Sequence, residues 1–98
     1  MKMTIRFDGD KLLEYGLTEE EAMEPIREFF ERKGIPEVSD GVFFYNGDGK
    51  IGAFSCTASF PDKFPYFLDC VETWDWDLDD HVEHCKADFI EVQRAYFS

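Results

Sequence analysis

Between Cys70 and Asp80 the chain reads CVETWDWDLDD, in which Trp74, Trp76 and Leu78 alternate with Asp75, Asp77 and Asp79. A strict period of two belongs to a β-strand, whose successive side chains point to opposite faces. A strand here sets both tryptophans and the leucine against a core and the three aspartates in a row on the other side. The same parity, carried upstream, adds Tyr66, Leu68 and Cys70 to the apolar side and Asp69 to the acidic side, with Glu72 as the one interruption.

Such a strand needs neighbours to pair with and a layer to cover its apolar face. Met3, Ile5 and Phe7 alternate with Thr4 and Arg6, which predicts a first strand closing at Asp8-Gly9-Asp10. Asp10 is placed to cap a single turn holding Leu12 and Leu13, ended by Gly16. Thr18 followed by Glu21 is a capping-box pattern, and Glu19, Glu20 and Glu21 suit the positive end of a helix dipole. The helix that starts there carries an inward stripe of Ala22, Ile26, Phe29 and Phe30, with Met23 beside it, and stops at Gly34 and Pro36. Pro25 lies too deep for a first-turn proline and predicts a kink or a restart.

From Gly41 the period changes. Val42 to Tyr45 is an aromatic strand, Asn46-Gly47-Asp48-Gly49 is hairpin chemistry, and Lys50 to Phe60 follows as a second strand with Phe54, Cys56, Ala58 and Phe60 on one parity. Pro61 and Pro65 bracket an irregular corner before the Trp/Asp strand. Asp80 with Glu83 predicts the start of a last helix, with Val82, Cys85, Phe89, Val92 and Tyr96 at spacings of three and four. The expected fold is α+β and a single domain over residues 1–98, with about four mainly antiparallel strands in the order β-α-β-β-β-α packed against two helices.

Eleven Phe and two Trp among 98 residues are enough apolar bulk for a folded core. Against 22 Asp and Glu stand 10 Lys and Arg, a formal net charge of −12. Nucleic acid and anionic membrane surfaces repel such a chain, so a partner that uses the charge is basic. No apolar run approaches the ~18 residues of a membrane span, and no basic segment followed by an apolar one opens the chain, which reads as cytoplasmic. Cys56, Cys70 and Cys85, an odd number at wide spacings, read as reduced thiols in the core.

Chemical motifs are incomplete. Asp75-x-Asp77-x-Asp79 resembles the opening of an EF-hand loop, but the sixth and twelfth positions, which need Gly and Glu, hold Asp80 and Lys86. His81, His84 and Cys85 offer a metal-ligand edge without a second pair to complete it, and no glycine-rich phosphate cradle is present. The expectation is a chain without catalytic residues, metal or cofactor, the alternative being a metal-dependent or Cys/His enzyme built on Asp77, His81 and Cys85.

The acidity is what stands out. Asp69, Glu72, Asp75, Asp77, Asp79, Asp80 and Glu83 fall between Lys63 and Lys86 with no base among them, and all but Glu72 share one side if the strand parity holds. The first long helix adds Glu20, Glu24, Glu28 and Glu31 along one edge. Rows of like charge destabilise by a few tenths of a kcal/mol per neighbouring pair, and interspersed charges serve solubility equally well. A single-signed surface suits a basic groove. The helix, three strands, helix order is similar to that of double-stranded-RNA-binding domains, but those need basic residues at their RNA-facing sites, and this chain has no Lys or Arg between Lys63 and Lys86. In size, charge and lack of chemistry the chain is similar to small acidic anti-restriction and anti-CRISPR inhibitors of phages and mobile elements. The functional expectation is a non-catalytic inhibitor that occupies a basic nucleic-acid-binding surface of a partner, a nuclease or other nucleic-acid-binding protein. The alternative is an immunity protein that neutralises a cationic toxin. Expected contact residues are Asp69, Asp75, Asp77, Asp79, Asp80, Glu83, Glu20, Glu24, Glu28 and Glu31.

Overall fold

In the computed structural model the backbone is described for residues 1–97 and side-chain surroundings for residues 1–95. Met3, Ile5 and Phe7 alternate with polar residues in β1 (Lys2–Phe7), and each is buried. β1 becomes the middle strand of a five-stranded antiparallel sheet, paired on one side with β3 (Val42–Phe44) and on the other with β4 (Val71–Asp77). β2 (Glu37–Ser39) and β5 (Val82–His84) form the edges, giving the order β2-β3-β1-β4-β5. The fold is α+β, with five strands and several helices in place of about four and two.

One face of the sheet is covered. Helix α1 (Gly9–Glu14) is capped by Asp8, one register earlier than the expected Asp10, because the Asp8 side chain accepts from the backbone N–H groups of Asp10 and Lys11. Helix α2 (Glu19–Arg32) carries the complete Thr18/Glu21 capping box and buries Ala22, Met23, Ile26, Phe29 and Phe30. It runs unbroken through Pro25, and Glu21, whose carbonyl loses a partner there, sits on an exposed turn. Phe30 stacks on Phe43 of β3, with ring centroids 4.1 Å apart, which locks α2 to the sheet.

Lys50 to Phe60 is helical, not a strand. Helix α3 (Ile51–Ser55), a 3₁₀ turn (Cys56–Ser59) and helix α4 (Phe60–Lys63) follow one another, and the buried residues Phe54, Thr57 and Phe60 recur every third position. Ser55, Thr57 and Ser59 each donate a side-chain hydrogen bond to the carbonyl three residues back, which satisfies their hydroxyls within the turns. Cys56, expected in the core, is therefore exposed. The hairpin of this region is β2–β3, turning at Asp40-Gly41 ahead of the Asn46–Gly49 segment.

The strand parity of the Trp/Asp segment begins only at Val71, since Phe67–Cys70 forms the short helix α5. Between the pairs Phe7↔Val71 and Arg6↔Thr73 the register shifts, so Val71 and Glu72 together oppose Phe7. That β-bulge turns Val71 inward and Glu72 outward, which accounts for the glutamate that interrupted the apolar parity. Trp74 and Trp76 are buried as expected, at 2% and 9% exposure, and Leu78 packs against the core from the following loop.

Candidate partner-binding surface

The expected six-carboxylate side is not assembled. Asp75 and Asp77 lie on the open face of β4, where Asp77 pairs across the sheet with Lys2 and Asp75 with Thr4. The aspartate row, free of bases along the sequence, thus runs beside a strand that carries Lys2 and Arg6. Glu83 pairs with Trp76 and so projects from the opposite, helix-covered face. Asp69 sits on α5, before β4 begins, and accepts a hydrogen bond from the Tyr15 hydroxyl, which raises the Tyr15 pKa.

Asp79 and Asp80 occupy the loop between β4 and β5, closed by the Leu78 N–H donating to the His81 carbonyl at 2.9 Å. Asp79 adopts φ 76°, in the left-handed region that Asp enters more readily than most residues, and its N–H donates to Asp77 Oδ1 at 2.9 Å. Asp80 caps no helix: residues 82–84 form β5, and the last helix, α6 (Cys85–Phe97), begins after it. Of its expected stripe, Val82 is an exposed strand residue, Cys85 and Phe89 are partly buried, Val92 is exposed, and the Tyr96 side chain lies outside the described residues.

The chemistry weighed for Asp77, His81 and Cys85 has no common centre. Asp77 faces the open side of the sheet, whereas Cys85 lines an apolar groove of about 400 Å³ on the covered side, with Trp74, Trp76, Phe54 and Phe89. Burial, helped by the nearby carboxylates of Glu83 and Asp88, pushes the Cys85 thiol up to about 11, so it stays protonated near neutral pH. His81 pairs through Nδ1 with Asp80 at 2.7 Å and His84 with Asp75 at 2.9 Å. Among the described residues, no three His, Cys, Asp or Glu side chains gather where they would hold a metal ion.

The α2 carboxylates do come together. Glu20, Glu21, Glu24, Glu28 and Glu31 line one shallow groove with Arg27, and all five glutamates are exposed. Arg27 is half-buried and holds this ridge to the β2–β3 hairpin. Its Nε donates to Glu37 Oε1 at 2.9 Å, its Nη2 to Asp40 Oδ1 at 3.1 Å, and its Nη1 lies 3.6 Å from Glu20 Oε1. The hydrogen bond to Glu37 raises the Arg27 pKa further. Glu37 in turn accepts the Gly41 N–H at 2.8 Å, which fixes the hairpin tip. The ridge therefore continues from α2 onto Glu37 and Asp40, two residues that sequence reasoning missed. Arg27, the one base between Glu19 and Glu31, was the available signal.

Comparison with known proteins finds no family model, curated protein or solved structure that matches this chain.

Proposed function

We propose that this chain is a non-catalytic binding protein that inhibits a basic, nucleic-acid-binding partner by occupying its groove, and that the α2 ridge makes the contact. The carrying observation is the exposed row of five glutamates on one side of α2. From Glu20 to Glu31 the helix rises about 16 Å, or one carboxylate per ~4 Å, close to the ~3.4 Å spacing of phosphates along a nucleic-acid strand. The Asp75/Asp77 row is sparser, at ~6.7 Å per carboxylate, and each row has one base beside it, Lys2 there and Arg27 on α2. Phe29 packs on Phe60 and Phe30 on Phe43, so the α2 backbone that carries these charges is held in place without a partner to order it.

Affinity capture with the intact chain as bait, followed by elution with salt or with duplex DNA, tests this reading. The captured protein should be basic, should dissociate as ionic strength rises, and should be displaced by competing duplex. Replacing Glu20, Glu24, Glu28 and Glu31 with Gln should abolish capture. Replacing Asp75, Asp77, Asp79 and Asp80 with Asn should weaken it far less. A folded four-Gln variant that captures the same protein as the parent overturns the assignment to α2. A basic partner held equally well in the presence of duplex would count against groove occupation and favour the immunity-protein alternative.

A further inference from the structure

Four cross-strand neighbours form a row over the open face of the sheet: Phe44 on β3, Lys2 on β1, Asp77 on β4 and Val82 on β5. Directly opposed residues of antiparallel strands share a face, so the row reads apolar, cationic, anionic, apolar. Phe44 and Val82 are 40% and 48% exposed. The next row is Val42, Thr4, Asp75 and His84, and beyond it Arg6 stands opposite Thr73. The molecule is 19 Å deep along its shortest axis, the depth of one sheet and one layer of helices; Lys2 and Arg6 on this face are exposed, Thr4, Asp75 and Asp77 are half-buried, and Lys86, Ala87 and Ile90 of α6 flank it beside Thr73, Asp75 and His84.

We propose that the open face docks a second copy of the same chain, sheet against sheet, about a two-fold axis running along the strands between β1 and β4. Such an axis reverses each row on the facing copy. Phe44 then meets Val82, and Lys2 meets Asp77, twice over. The pattern carries the proposal: about the β1–β4 boundary the row is symmetric in apolarity and antisymmetric in charge, as an isologous contact requires. In the second row Thr4 meets Asp75, which Arg6 also reaches diagonally, while Val42 meets His84, whose Nδ1 lies 2.9 Å from Asp75 of its own chain, so the full symmetry belongs to the first row alone. Packed sheets lie ~10 Å apart, a gap that Phe, Lys and Arg side chains fill from both sides. Edge strands of three residues offer little for edge-to-edge pairing.

The axis superposes four of the five strands, and β3 and β5 are three residues long, so the matched face is at most about 19 by 20 Å, well below the ~800 Å² per partner of a standard interface. The net charge of −12 also opposes association at low salt. The dimer is accordingly weak, in the micromolar range. It leaves the α2 ridge on the other layer free, so it stands or falls separately from partner binding.

Sedimentation velocity of the intact chain from about 2 to about 200 μM at physiological salt is the test. The expected result is conversion from monomer to dimer across that range. Lys2→Asp and Asp77→Lys should each raise the dissociation constant at least about tenfold, because like charges then meet across the axis. The double variant restores the antisymmetric pattern and should return to near the parent value. Asp77→Lys is the sharper of the two, since it makes the net charge two units less negative and a general charge effect would tighten the dimer. Val82→Lys, at an exposed edge position, gives a second break that leaves the core alone. Circular dichroism on each variant establishes that it is folded. A parent chain that is monomeric at 200 μM, or folded single variants that dimerise as the parent does, would overturn the proposal.

Discussion

The backbone N–H of Ile5 donates to the carbonyl of Gly41 at 2.8 Å, which ties the tip of the β2–β3 hairpin to the central strand β1. Gly41 has φ 74°, and a Cβ placed on it would collide with the backbone carbonyl of Ile5. Gly41→Ala therefore meets both left-handed strain and a clash with rigid backbone, which costs about 2–3 kcal/mol. The melting temperature should fall by roughly 10–20 °C for a chain of this size. A drop within about 3 °C of the parent would show that the hairpin tip can leave β1 without penalty.

Trp76 stacks against Phe54, with ring centroids 6.0 Å apart, and links β4 to α3. Trp76→Ala should cost about 3–5 kcal/mol, read from denaturant unfolding, because the cavity it leaves is bounded by the sheet on one side and helix on the other. Native tryptophan fluorescence as quenchable by iodide as that of the unfolded chain would contradict the burial of both indoles.

The three thiols should separate kinetically. Cys56 is exposed and should react first with an alkylating reagent at pH 7.5. Cys70 is buried, with its pKa raised chiefly by that burial, and Cys85 is held at about 11, so both should react at least tenfold more slowly. Cys56→Ser should remove the fast phase entirely. A fast phase that survives this substitution would place another thiol at the surface.

His81 and Asp80 are coupled by their hydrogen bond, which raises the histidine pKa above 6.5 and lowers that of the carboxyl below 3.8. Stability from the raised histidine is complete below its unfolded pKa and is lost as pH rises through the folded value. Stability from the depressed carboxyl is present above its unfolded pKa and is lost as pH falls through its folded value. The pair is thus fully engaged between about pH 4 and pH 6.5. NMR titration should give His81 a midpoint above 6.5 that drops when Asp80 is replaced by Asn. A His81 midpoint at or below 6.5 in the parent would mean that the pair does not form in solution.

Much of the architecture is local and was legible. The capping box at Thr18 and Glu21, the apolar stripe of α2, the Gly34 stop, and the alternations of β1 and β4 each depend on residues a few positions apart. The glutamate edge of α2 was legible for the same reason, since i, i+4 neighbours on a helix are fixed by its pitch. Lys50 to Phe60 was misread because Phe54 and Phe60 satisfy a period of two and a period of three alike; burial of Thr57, with Cys56 left outside, distinguishes them.

What the sequence determines by itself here is which segments are amphipathic, where α2 starts and stops, and that the chain carries a large negative charge. Tertiary structure alone decides which charges are neighbours. Lys2 and Asp77 are 75 residues apart in the chain and opposite one another in the sheet. Glu83 is moved to the covered side by a hairpin loop, and Glu72 is turned outward by a bulge. Helix pitch and capping act over a few residues, whereas strand order, register and bulges are settled only when distant segments compete to bury the same aromatic core.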